Sequence, residues 1–237
     1  MNTDLDNVKR CLIVAAHPDD EVLGAGGLIA RLLAQNARVK ILFLGEGVSV
    51  RFPSVNTDQE KRNLVLAQNK RQSSCESALE SLGVKDFRCC DHLCCRFDTL
   101  PLIDLVREIE TDVKSFQPDL VVTHNTCEVN IDHQITYGAV EAACRPIEGS
   151  SVKLILGMEI VCSGSFKLNE AFVPDLFVDI DPFWESKLTA WHYYDAEMRP
   201  FPFPRSDHGL EILSRYRGMQ AGLHRAEAFQ VFRWVVR

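Results

Sequence analysis

Apolar positions along this chain fall into two alternating rhythms. Cys11-Leu12-Ile13-Val14-Ala15-Ala16 is a short unbroken apolar run and Val39 to Leu44 a second apolar run, interrupted only by Lys40, and both predict strands covered on both faces. The first strand is read from Arg10 to Ala16. Between the two runs, Val22, Leu23, Gly26, Ile29, Ala30 and Leu33 recur with the period of a helix. A longer helix is traced from Gln59 to Leu82 through Leu64, Ala67, Arg71, Cys75 and Ala78, with Gly83 as its C-cap. Thr99 is placed as the cap of the next helix, with Pro101 in its first turn and a stripe of Leu102, Leu105, Val106, Ile109, Val113 and Phe116. Pro118 and Asp119 break the chain before a strand at Leu120 to Thr123. A helix from His133 to Ala143 and a strand from Leu154 to Ile160 follow. Strand and helix in alternation predict a doubly wound α/β domain, its sheet mostly parallel and its helices on both faces. From Phe166 onward Pro and aromatic residues increase and no rhythm is as regular; Trp184, Trp191, Tyr193 and Tyr194 read as core and helix packing.

Composition narrows the class. With 237 residues, no internal repeat and no linker-like stretch, the chain reads as one domain over 1–237. Apolar residues make up 46% and charged residues 25%, as in ordinary soluble proteins. The net charge of −7 argues against a nucleic-acid partner. No run approaches the ~18 apolar residues of a membrane span. Met1 to Arg10 lacks a basic segment followed by an apolar one, so a cytoplasmic protein is expected; homo-oligomerisation is left open. Nine cysteines, an odd number in a chain of this kind, are expected to be reduced. The cluster Cys89-Cys90-Asp91-His92-Leu93-Cys94-Cys95 has no second knuckle elsewhere in the sequence to complete a closed zinc site. Its thiols read as small buried or half-exposed groups.

Three segments fall at predicted carboxyl ends of strands, where open sheets bind ligands: His17–Glu21, Gly45–Arg51 and His124–His133. In His17-Pro18-Asp19-Asp20-Glu21, the spacing of His17 and Asp20 lets both side chains converge while Asp19 projects differently. Zinc takes imidazole and carboxylate ligands, and catalytic sites use three protein ligands and leave a position open. His133, after the second strand end, supplies the third. Asp19-Asp20-Glu21 alone would also serve as an acidic helix start; the second His–Asp cluster favours a metal. Gly24-Ala25-Gly26-Gly27 is not a dinucleotide fingerprint, since Ile29 stands where the last Gly is required. No G-x-S-x-G elbow or phosphate-binding loop is present.

The strand-His-Pro-Asp-Asp-Glu-helix opening resembles the PIG-L/LmbE-like family of zinc-dependent N-deacetylases, and the resemblance runs along nearly the whole chain. Gly45-Glu46-Gly47-Val48-Ser49, Arg71, Arg96-Phe97-Asp98-Thr99, Asn130-Ile131-Asp132-His133, Phe177-Val178-Asp179-Ile180, Pro204-Arg205-Ser206 and Ala226-Glu227-Ala228-Phe229 follow in the family's order. The resemblance implies a Rossmann-like fold, zinc or another divalent cation on His17, Asp20 and His133, Asp19 as general base, and hydrolysis of the acetamide of an N-acetylglucosamine-type sugar. Where some members carry a further His, this chain has Asn130, so the general acid is assigned to His124 or to protonated Asp19. Arg51, Arg71 and Arg205 are the candidates for gripping the substrate. Phe203, where related sequences often have His, suggests a more apolar substrate wall. A metal-dependent amidase of a thiol-sugar conjugate and a non-catalytic sugar-binding protein are the alternatives.

Overall fold

The computed structural model describes residues 4–236. Strands β1 (Arg10–Ala15), β2 (Arg38–Gly45), β3 (Asp86–His92), β4 (Leu120–His124), β5 (Leu154–Met158), β6 (Leu176–Asp179) and β7 (Ala226–Trp234) form one sheet. Its order is β3-β2-β1-β4-β5-β7-β6. The first five strands run parallel; β7 is antiparallel to both β5 and β6. The doubly wound, mostly parallel architecture expected from the alternation is the one found.

Helices α1 (Asp20–Ala34), α2 (Asp58–Leu82), α3 (Leu102–Phe116), α4 (Ile131–Ala143), α5 (Trp184–His192) and α6 (Asp207–Ala221) cover the sheet. The unbroken apolar run of β1 is explained by two cores. Cys11, Ile13 and Ala15 face α1, α2 and α5, whereas Leu12, Val14 and Ala16 face α3 and α4. Trp184, Trp191 and Tyr194 are buried in the first core, as their reading as packing residues requires, while Tyr193 is exposed. β1 connects through α1 to β2 on one side, and its other neighbour, β4, is reached only after β3 and α3. Connections therefore diverge between β1 and β4, which opens the crevice of a switch point at their carboxyl ends.

Several element boundaries differ from the sequence expectation. α3 starts at Leu102 behind Pro101, which makes no side-chain cap, so Thr99 is not the cap. Leu100, the residue before the proline, is extended (φ −96, ψ 144), because the pyrrolidine ring disfavours helix there. Thr99 ends a short 3₁₀ turn and donates its hydroxyl to Arg96 O at 2.7 Å. α2 gains a capping box from Thr57 and Glu60, and Gly83 closes it in the left-handed region at φ 86. α4 begins before His133, because Asn130 Oδ1 accepts the Asp132 N–H at 2.9 Å. β5 stops at Met158, level with the last residue of β4, rather than reaching Ile160.

A buried ion pair fastens α1 to the far edge of the sheet. Glu227 on β7 accepts Gly27 N–H and Leu28 N–H at 2.8 Å each. Lys187 on α5 donates to Glu227 and to Leu23 O. Gly27 permits this approach: a Cβ there would lie 2.4 Å from Ile180 Cγ2. Gly27→Ala is expected to lower stability by about 1–3 kcal/mol through overpacking, read as a lower midpoint with an unchanged slope in urea unfolding. An unchanged midpoint would mean that α1 can shift freely.

Candidate metal and catalytic site

The ends of β1 and β4 carry the site. After β1 the chain turns through His17-Pro18-Asp19 into α1, and Asp19 occupies φ 134, ψ −30, a region that residues other than glycine rarely adopt. Glu21 braces it, its Oε2 accepting the Asp19 N–H at 2.9 Å while Oε1 accepts the Tyr194 hydroxyl at 2.7 Å. The twist separates Asp19 from its neighbours, as the sequence spacing anticipates. His17 and Asp20 turn inward and are buried.

His133, from the first turn of α4, meets them. One donor atom each from His17, Asp20 and His133 lie within 4.8 Å of one another. Asp20 Oδ2 is 3.6 Å from His17 Nδ1 and 3.4 Å from His133 Nε2. Two ligands at ~2.1 Å from a tetrahedral ion stand ~3.4 Å apart, so the spacing suits a cation. Asp20 Oδ2 also accepts the His17 N–H at 2.9 Å. Asp20 Oδ1, equally buried, has no partner among the described residues. Burial, and the Asp19 carboxylate beside it, push Asp20 up to about 8. A carboxyl in that position lacks a positive neighbour close enough to offset its desolvation, and a bound cation supplies one. These residues are able to hold a metal.

Each imidazole is also oriented from behind. His17 Nε2 is 2.9 Å from Asp132 Oδ2, and His133 Nδ1 is 3.2 Å from Glu128 Oε2. A carboxylate on the outer nitrogen fixes the tautomer and points the other lone pair at the ion, the usual arrangement behind metal-binding histidines. Asp132 is itself held by the N–H groups of Cys95 and Phe97. Glu128 Oε1 accepts from Asn125 Nδ2 at 2.9 Å. Asp132, Glu128 and Asn125 were not among the sequence candidates. Asp132 could have been suspected from its place directly before His133; nothing in the sequence marks Glu128 or Asn125.

The remaining candidates fall into two groups. Arg71 and Arg205 flank Asp19, with nitrogens 3.4 Å and 3.1 Å from its Oδ2. Both also engage Glu197, which reaches Arg51 as well. Arg71 is buried, Arg205 is partly buried, and the Arg51 side chain is 45% exposed. His124 is fully buried; its Nε2 accepts the Ala16 N–H at 2.9 Å and its ring stacks on His133 at 4.0 Å. Burial holds the imidazolium of His124 well below its ordinary range. Asn130 caps α4 at the mouth of the site. Gly47, at φ 81, lets the second loop lean on His17: a Cβ there would meet His17 Cβ at 3.3 Å. Phe203 is half-buried under the Arg199 guanidinium, 5.1 Å from its ring centroid.

Known proteins share this chain's fold and sequence pattern. Diacetylchitobiose deacetylase of Thermococcus kodakarensis is 28% identical over 97% of this chain and 85% of its own length. The N,N'-diacetylchitobiose deacetylase of Pyrococcus horikoshii, solved with an inhibitor, superposes with a TM-score of 0.74 at 20% identity, covering 97% of this chain and 85% of that one. The 4-carboxy-2-hydroxymuconate hydratase of Pseudomonas putida superposes equally well, with a TM-score of 0.74 at 21% identity over 97% of this chain and 98% of that one. At such identities the superpositions speak for the fold alone. The family model described as GlcNAc-PI de-N-acetylase matches residues 12–144, more than half of the sequence, so this chain belongs to the PIG-L family.

Proposed function

We propose that this protein is an N-deacetylase that hydrolyses the acetamide of an N-acetylglucosamine-type sugar, with zinc held by His17, Asp20 and His133. The observation that carries the reading is the convergence of those three donors, beside which Asp20 Oδ1 lies buried with no partner among the described residues. A divalent ion there would polarise the acetyl carbonyl and lower the pKa of water. Asp19, next to Asp20 but turned away from it by its unusual backbone, takes the proton of the attacking water. Arg71 and Arg205 hold its carboxylate in place.

The proton then returns to the leaving nitrogen. His124 is poorly placed for that step, since its Nε2 is committed to Ala16 and its Nδ1 is sealed in the core. Protonated Asp19 therefore serves as the acid that expels the amine. Asn130 spends its carbonyl oxygen on the helix cap, which leaves its amide N–H groups to donate to the acetyl oxygen. Arg51 stands at a cavity of about 220 Å³ lined also by Val48, Phe52, Lys70 and Tyr194. That cavity is our candidate for the part of the substrate beyond the acetamide, with Arg51 donating to hydroxyl groups. The named activities of the sequence relatives support an acetamide substrate. The thiol-sugar amidase remains the second reading, because it would use the same metal, base and cavity.

Release of acetate from N,N'-diacetylchitobiose, against cleavage of a thiol-sugar conjugate, separates the two readings and also separates either from a hydratase. Acetate release that depends on added zinc is expected; none from any N-acetylated sugar would refute the proposal. Asp19→Asn should lower kcat by about 10²–10⁴-fold while the protein keeps its metal, and full turnover in that variant would remove Asp19 from the mechanism. Asp132→Asn should weaken zinc binding by about 10–100-fold, measured by chelator competition. An unaltered affinity would show that Asp132 does not orient His17 toward the ion.

A further inference from the structure

His17 belongs to a second group of ligands as well. Beyond the end of β3, Cys94 and Cys95 place their Sγ atoms 3.8 Å apart. Cys94 Sγ, a His17 nitrogen and an Asp132 carboxylate oxygen lie within 4.8 Å of one another. The His17 nitrogen next to Asp132 is Nε2, the one turned away from Asp20. His17, Asp132 and Cys94 are buried, and Cys95 is half-buried at the surface end of the group. The knuckle that the Cys89–Cys95 segment lacks in sequence is thus supplied in space by residues from the turn after β1 and from α4.

The fold builds this cluster deliberately into the wall of the site. The Cys94 N–H is fixed by Glu46 Oε1 at 3.0 Å and Ser49 Oγ at 2.8 Å, which ties the thiol pair to the loop after β2. Cys95 sits in the left-handed region at φ 57, with its N–H on the Asp132 carboxylate. Cys94 Sγ, an imidazole nitrogen and a carboxylate oxygen form a three-ligand set, and Cys95 Sγ, 3.8 Å from Cys94 Sγ, stands beside it as a candidate fourth ligand. Such a set selects zinc or a softer ion and disfavours magnesium or calcium, which want oxygen.

We propose that Cys94, Cys95, Asp132 and His17 Nε2 form a second, thiolate-containing site for a borderline or soft divalent cation, and that filling it disables the first. On binding, each thiol releases a proton to water, the His17 proton moves from Nε2 to Nδ1, and no electron changes hands. The hydrogen bond through which Asp132 orients His17 is then broken. With the proton on Nδ1, His17 has no lone pair left for the primary site, which loses that ligand. The disabling part of the proposal rests on the deacetylase reading; the existence of the site does not.

Cadmium tests both parts. Protein carrying one equivalent of zinc is titrated with Cd²⁺ while thiolate-to-cadmium charge-transfer absorption in the ultraviolet and acetate release are followed together. One further equivalent should bind with a thiolate band, and acetate release should fall by more than about 10-fold, the scale on which disturbing an outer carboxylate acts. Cys94→Ser/Cys95→Ser should abolish the band, whereas Cys89→Ser, at the exposed thiol of β3, should keep it. Absence of the band from the native protein, or its persistence in the double variant, would overturn the site. A full band with undiminished acetate release would overturn the coupling through His17. If acetate release is absent before any cadmium is added, the deacetylase reading fails on its own, and the absorption still decides the site.

Discussion

A carboxylate sealed from water with one oxygen unmatched is the constraint around which this molecule is arranged. Burial desolvates the Asp20 carboxylate, and the nearby Asp19 raises the cost further. A divalent cation at the point where the three residues converge would remove the difficulty, because it would match the charge. The position of that point follows from topology: β1 and β4 are adjacent in the sheet but distant in the chain, and their carboxyl ends are where connections diverge. His17 and Asp20 come from the turn that opens α1, His133 from the first turn of α4.

Around that centre the polar groups are layered. Asp132 and Glu128 stand behind the imidazoles, and backbone N–H groups and Asn125 stand behind the carboxylates. Asp19 is held separately: Glu21 and Tyr194 secure its backbone, while Arg71, Arg205 and Glu197 secure its side chain. In the proposed mechanism the division lets two adjacent aspartates take different duties, Asp20 toward an ion and Asp19 toward a proton. The strained backbone at Asp19 is the local cost of that division, borne by a core that fixes α1 through Glu227 and Lys187.

Much of this was legible in the sequence, for identifiable reasons. Strands buried on both faces leave apolar runs, interrupted in β2 by Lys40, so β1, β2 and β4 announced themselves, and the residues just past their ends were natural site candidates. β3 was hidden because its residues, Asp86-Phe87-Arg88-Cys89-Cys90-Asp91-His92, mix polar groups and thiols at the edge of the sheet. β6 has only four residues, too few for a pattern. Thr99 misled because Pro101 dictates the backbone before it more strongly than a hydroxyl favours capping. Arg71 and Arg205 lie beside Asp19, and their ion pairs with Asp19 and Glu197 depend on distant segments that no local spacing encodes. The same holds for Glu128 and for the approach of Cys94 to His17.

The central claim is that His17, Asp20 and His133 grip one ion together, and equilibrium metal analysis addresses it most directly. Purified protein dialysed against limiting zinc should retain one zinc per chain, while His17→Ala and His133→Ala, verified as folded by circular dichroism, should each retain almost none. Equal zinc in all three proteins would contradict the account.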